Sequence, residues 1–352
     1  MSQYPKAIEI LDQGMDIGLD KLGNEHKIIA GLYNEYGSIN KYKGQYDLAL
    51  KYYHLSLDVR LKVVDNDFSV IAASYNNLGI IYKIKGDYDQ AMEYYRKFMK
   101  ALQETTVNDY PYKAAAYNNL GEVYRLKGDY DLALTYYQLS MNICLKALGK
   151  DHFLVAGSYN NIGLAYDEKG DYDYALEYLQ QSLDIRLLII GNEHPDVAVS
   201  YNNLGVIYVK QRNYEKGMDC YNRSLVINIK AFGEQHPDVA MTYTNIGNVF
   251  IAKKDFDKAV MFQEKALKIY INAFGDFHPL VGTVYNSTGN IYFEKEDQIK
   301  ALGYYQLALI SQVRDFTEYN IYINPTIEVV NSKTVLLSTL VGKAEALERL
   351  WL

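Results

Sequence analysis

Cysteine is nearly absent from this 352-residue chain. Only Cys144 and Cys220 occur, and they form no CxxC pair. Their number and spacing argue against a disulfide framework and favour a reducing compartment. No stretch approaches the roughly 18 consecutive apolar residues of a membrane-spanning helix, and the opening Met1-Ser2-Gln3-Tyr4-Pro5-Lys6 lacks an apolar signal core. A cytoplasmic protein with no membrane insertion is the expectation. An excess of basic residues is missing too: the formal net charge is −7. That speaks against nucleic acid, because phosphate binding calls for a basic surface. Also lacking are a P-loop, a Gly-rich dinucleotide fingerprint, a GxSxG elbow, an HExxH pair and a Cys/His dyad. The sequence therefore predicts no enzyme, no cofactor and no metal.

What the chain does have is a repeat. Tyr75-Asn76-Asn77-Leu78-Gly79 returns as Tyr117-Asn118-Asn119-Leu120-Gly121, Tyr159-Asn160-Asn161-Ile162-Gly163 and Tyr201-Asn202-Asn203-Leu204-Gly205. The leading tyrosine falls at 33, 75, 117, 159, 201, 243 and 285, a strict 42-residue step. A fixed period of this length marks a solenoid, in which each unit packs on its neighbours. Residues 195–210 carry Tyr201, Leu204, Gly205 and Tyr208 at helical spacing, with Pro195 suited to the first helical position. After a turn at Gln211-Arg212-Asn213, a second helix is expected over 214–232, ended by Gly233. Four other units turn more sharply through Gly44, Gly86, Gly128 and Gly170, and Asp87, Asp129 and Asp171 suit the N-cap of the second helix. A small residue follows in every unit: Ala49, Ala91, Ala133, Ala175, Gly217, Ala259 and Ala301. It allows the two helices of a pair to approach closely. Most of the 36 tyrosines fall in five registers of the repeat, which reads as packing.

Tyr75, Leu78, Gly79, Tyr82, Ala91 and Tyr95 resemble the tetratricopeptide (TPR) signature. The 42-residue step and the Gly-x-x-His-Pro-x-Val-Ala of Gly191–Ala198 and Gly233–Ala240 are similar to the repeats of kinesin light chain. That family also carries a heptad-rich coiled coil, which this sequence lacks, so the chain is not read as a kinesin light chain itself. The resemblance implies an all-α, right-handed TPR superhelix (α-solenoid) of antiparallel helix pairs. The expected organisation is a half repeat over 1–23, seven 42-residue units over 24–315, and a divergent capping helix over 316–352. In that last segment Val335, Leu336, Leu340, Val341, Ala344, Leu347 and Trp351 recur at three- and four-residue spacing. They predict an amphipathic helix that either caps the last repeat or docks a partner.

Five histidines, His26, His152, His194, His236 and His278, share one loop register, which suggests a turn-stabilising role. The informative polar feature is a row of asparagines: Asn77, Asn119, Asn161, Asn203 and Asn245. The register before it holds Asn34, Asn76, Asn118, Asn160, Asn202 and Asn286. Mid-helix asparagine costs about 0.6 kcal/mol relative to alanine, so its recurrence calls for a reason. One reading is that the amides clasp an extended peptide, with donors and an acceptor matching its backbone. The others are hydrogen bonding between helices and inheritance through repeat duplication. The resemblance implies that the first helix of each pair lines a concave groove.

Six residues beyond the row stand Lys41, Lys83, Arg125, Asp167, Val209, Ile251 and Phe293. If they face the groove, Lys41, Lys83 and Arg125 would favour acidic ligand segments and the later positions apolar ones; otherwise they are a solvated helix end. Further on, Lys43, Lys85, Lys127, Lys169, Lys253 and Lys295 suit a helix C-terminus. Four residues before the row, Gly31, Ala73, Ala115, Gly157, Val199, Met241 and Thr283 provide no cation for a carboxylate clamp. Likeness to kinesin light chain implies instead acidic peptides with an aromatic anchor. The expected function is an adaptor or scaffold binding other proteins through peptide segments. The alternative is a structural subunit docking through its half repeat and its last helix. Oligomeric state is not legible.

Overall fold

The computed structural model describes residues 4–63, 68–104, 110–313, 316–325 and 333–351. Among these the architecture is all-α, with two compact units, Met1–Tyr178 and Leu179–Leu352. The first unit holds α1 (Tyr4–Leu22), α2 (Lys27–Tyr42), α3 (Tyr46–Lys62), α4 (Phe68–Ile84), α5 (Tyr88–Gln103), α6 (Tyr110–Leu126), α7 (Tyr130–Leu148) and α8 (Phe153–Lys169). The unit boundary falls within α9 (Tyr172–Ile190). The second unit continues with α10 (Pro195–Lys210), α11 (Tyr214–Phe232), α12 (Pro237–Ala252), α13 (Phe256–Phe274), α14 (Pro279–Glu294), α15 (Gln298–Gln312) and α16 (Lys333–Trp351).

Tight turns make antiparallel pairs of α2 with α3, α4 with α5 and α6 with α7, and each pair packs on the next. The second unit repeats this with α10 and α11, α12 and α13, and α14 and α15. The helix bounds expected for 195–210 and 214–232 are those observed.

Two side chains explain the close approach within a pair. The small residue of the second helix is wholly buried at Ala49, Ala91, Ala133, Ala259 and Ala301. At Gly37, Gly79, Gly121, Gly205 and Gly289 the glycine of the first helix lies under an aromatic ring of the second. A Cβ added to Gly37, Gly79, Gly205 or Gly289 would sit 2.6–2.7 Å from the ring of Tyr53, Tyr95, Tyr221 or Tyr305. Each of those rings is at most 3% exposed, a burial that stabilises by roughly 2–3 kcal/mol apiece. Other tyrosines stack across the pair, as Tyr82 on Tyr94, Tyr124 on Tyr136 and Tyr292 on Tyr304.

The helix ends are capped as the loop chemistry requires. Asp87 and Asp129 accept from the backbone N–H groups of Gln90 and Leu132, and Asn213, Asp255 and Asp297 do the same further on. The histidine row proves to be a set of N-caps. Nδ1 of His26, His152, His194, His236 and His278 accepts from the backbone N–H two residues on. Three lysines of the helix C-terminal row also tie neighbouring pairs together, Lys127 to Asp89, Lys169 to Asp131 and Lys295 to Asp257, each at 2.7 Å.

The last helix keeps part of the expected face: Leu336, Leu340 and Leu347 pack inward, joined by Thr339, Lys343 and Ala346, whereas Val341, Ala344 and Trp351 face outward. Two contacts fix this rotation. Gly342 lets the Tyr305 ring approach, and Lys343 Nζ is satisfied by Gln306 Oε1 at 2.5 Å and by Ile323 O and Asn324 Oδ1 at 2.8 Å. Fully bonded, the ammonium tolerates burial that an unpaired charge would not. α16 thus packs on α15 and α14.

Candidate peptide-binding groove

In the first unit, α2, α4, α6 and α8 are the first helices of successive pairs. At 100° per residue, Pro111, Ala115, Asn118, Asn119, Glu122 and Arg125 occupy one sector of α6. Between α6 and α8 that sector opens into a cleft of about 240 Å³. Its walls include Ala115, Asn118 and Asn119 from α6 and Phe153, Gly157 and Asn161 from α8; Ser140 and Cys144 of α7 form its floor. Small residues make the space, since a Cβ at Gly157 would have nothing within 4 Å. Burial pushes the Cys144 thiol up, so it lines the cleft as a neutral group.

The asparagines form a chain of amide pairs. Nδ2 of Asn77 donates to Asn34 Oδ1 at 3.0 Å, Asn119 to Asn76 at 2.8 Å and Asn161 to Asn118 at 2.7 Å. The two rows therefore belong together, each later helix reaching back to the one before. Hydrogen bonding between helices, one of the alternatives, is thus present. It uses one N–H of Asn77, Asn119 and Asn161 and the oxygen of Asn34, Asn76 and Asn118, and it fixes how each group is turned; Asn161 Oδ1 also accepts from Asn160 Nδ2 at 3.5 Å, whereas Asn119 keeps a second N–H and an oxygen to offer. Of the predicted row, Asn119 and Asn161 line the cleft and Asn77 lies one pair earlier. Asn203 and Asn245 belong to the second unit, where Asn245 donates to Asn202 at 2.8 Å and Asn203 is half-buried on α10.

The predicted cations behave differently from one another. Lys83 Nζ lies 2.5 Å from Glu122 Oε2, and its side chain is only 16% exposed. Arg125 pairs with Glu168. Burial alone would lower the Arg125 guanidinium, but Glu168 and the Tyr137 hydroxyl outweigh it and hold it above its ordinary range. Lys41 has no carboxylate in the equivalent places, which are Ile80 and Ile84, and its ammonium lies 4.8 Å from the Tyr42 ring centre. Sequence reasoning missed Glu122 and Glu168 because they sit in two different registers whose other members are mostly not carboxylates. At the far end of the same series Phe293 is 8% exposed, covered by Arg349 and Leu347 of α16. Among the described residues no group of three or more His, Cys, Asp or Glu is placed to hold a metal ion, and no helix is long and apolar enough to cross a membrane.

The tetratricopeptide repeat model matches residues 28–104, 112–187, 196–272 and 238–309. The chain belongs to the tetratricopeptide repeat family. This repeat fold is typical of protein–protein interaction scaffolds. Among solved structures, BtubC (BKLC) from P. vanneervenii is similar over 66% of this chain and 94% of its own, at 24% identity and a TM-score of 0.58. A Podosopora anserina kinesin light chain protein with nearly identical TPR-like repeats matches 57% of this chain and 95% of its own, at 20% identity and a TM-score of 0.50. The apo form of RapI covers 80% of this TPR chain and 97% of its own, at 18% identity and a TM-score of 0.61. At these identities the likeness is one of fold. No curated protein matches the sequence.

Proposed function

We propose that the chain is a non-enzymatic cytoplasmic adaptor that binds extended peptide segments of other proteins along α2, α4, α6 and α8. The observation that carries this reading is the cleft at Asn118, Asn119 and Asn161, where oriented carboxamides border an apolar hollow. Amides of fixed orientation suit a peptide backbone, and the hollow suits one apolar or aromatic side chain of the ligand. The test is binding to an array of acidic and aromatic-containing peptides at two salt concentrations. Hits that weaken in the Asn119→Ala/Asn161→Ala double variant, with helicity unchanged, support the groove; hits indifferent to that change contradict it.

A second reading is favoured by the rotation of α16, which leaves Leu337, Val341 and Trp351 exposed. On that reading the protein is a structural subunit that docks through its last helix. A variant lacking residues 327–352 that stays monodisperse and keeps its partners counts against it.

A further inference from the structure

The charges beside the asparagine chain are arranged as an internal competition. Lys83 on α4 and Arg125 on α6 were the cations expected to draw acidic ligands, yet each is held by a carboxylate of the next first helix, Glu122 on α6 and Glu168 on α8. Glu122 lies in the same sector of α6 as Asn118 and Asn119. Both pairs are partly shielded: the side chains of Lys83 and Glu122 are 16% and 33% exposed, those of Arg125 and Glu168 22% and 37%. Pairs at this depth are screened less by salt than fully exposed ones.

We propose that Glu122 and Glu168 act as built-in pseudo-ligands of the groove. They occupy Lys83 and Arg125 in the manner of an acidic peptide, and a carboxylate-bearing ligand binds there only by displacing them. The inference rests on the groove reading given above and deepens it: Glu122 and Glu168 set the affinity for acidic segments and select against weakly charged ones. Lys41, which has no carboxylate at Ile80 or Ile84, is the internal control, a cation in the same register that a ligand can use without an exchange. The exchange balances in charge. The ligand carboxylate takes the cation, and the released Glu122 or Glu168 swings to solvent, for which its partial exposure leaves a path.

The probe is a fluorescent peptide of about nine glutamates, enough to run past four first helices spaced roughly 8–10 Å apart at about 3.3 Å per residue. It is titrated into the full chain and into Glu122→Gln/Glu168→Gln, which keeps side-chain size. The proposal predicts that affinity rises about tenfold in the double variant. It also predicts that adding Lys83→Gln/Arg125→Gln abolishes the rise, and that Lys41→Gln weakens binding in both backgrounds. Equal or weaker binding by Glu122→Gln/Glu168→Gln overturns it, as does a rise that survives removal of Lys83 and Arg125. The groove reading is judged separately on the peptide array. If array hits depend on Asn119 and Asn161 while the glutamate peptide ignores Glu122 and Glu168, only the present inference falls. If no array peptide binds, the groove reading falls with it.

Discussion

A Cβ placed on Gly121 would lie 2.7 Å from Cδ1 of Tyr137, a buried ring that cannot move aside. Gly121→Ala is therefore expected to lower stability by about 1–2 kcal/mol net, overpacking outweighing the roughly 1 kcal/mol helix-propensity gain. Gly247 is the milder case, since its nearest neighbour would be Gln263 Nε2 at 3.0 Å, a buried amide that is bonded to Asn248 and needs to shift by only a few tenths of an ångström. Gly247→Ala is expected to cost less than Gly121→Ala. Urea midpoints of the two variants decide the matter.

The same tyrosine register carries one unsatisfied hydroxyl. Tyr305 donates to Asn290 Oδ1 at 2.8 Å and Tyr53 meets Ser38 Oγ at 3.2 Å, but Tyr95 is fully buried with its hydroxyl unpaired. Ile80 stands where Ser38 and Asn290 stand in their own repeats. Tyr95→Phe should leave stability unchanged or raise it by about 1 kcal/mol, whereas Tyr305→Phe should cost about 1 kcal/mol. Thermal melts of both variants check the contrast.

Three turns lack the glycine that four others have. Arg212, Lys254 and Glu296 hold φ of 61°, 58° and 62° where Gly44, Gly86, Gly128 and Gly170 hold 72–91°. Left-handed backbone costs a non-glycine residue roughly 1–2 kcal/mol. Replacing the three residues by glycine should stabilise by about 0.5–1 kcal/mol each, after the entropy glycine gives up. A triple variant that melts no higher than the parent would show that the strain is absent.

Alkaline pH should unfold the protein early. Burial pushes Tyr137 and Tyr270 up to about 12, from an ordinary value of 10.0. Their contribution is fully present below pH 10, where folded and unfolded chains are both protonated. Above pH 10 the unfolded chain ionises first and binds fewer protons, so stability falls until the folded value is passed. Each such tyrosine withdraws up to about 1.4 kcal/mol per pH unit. Tyr137→Phe should flatten the decline of urea midpoint between pH 10 and 12 by one such share.

The repeat, its helix pairs and the tyrosine packing were legible because they recur: Tyr33 to Tyr285 keep one step, and Ala49 to Ala301 keep one size. What recurs only in pairs was harder to read. The bond from Asn119 to Asn76 spans 43 residues, one more than the repeat, because each helix reaches back across its neighbour. Glu122 and Glu168 sit in different registers, and most other units carry no carboxylate in either. On α16 the inward Leu336, Leu340 and Leu347 were legible, but the buried Lys343 was not, because lysine counts as polar in any helical pattern although Gln306, Ile323 and Asn324 satisfy it.

The most direct test of the peptide groove fills the cleft without touching the amides. Gly157 has open space at its Cβ and borders the cleft within α8, so Gly157→Leu should fold with equal or greater stability. Isothermal titration of this variant with the best array peptide is predicted to show binding lost while the melting temperature holds or rises. Binding undiminished in the filled cleft would contradict the account.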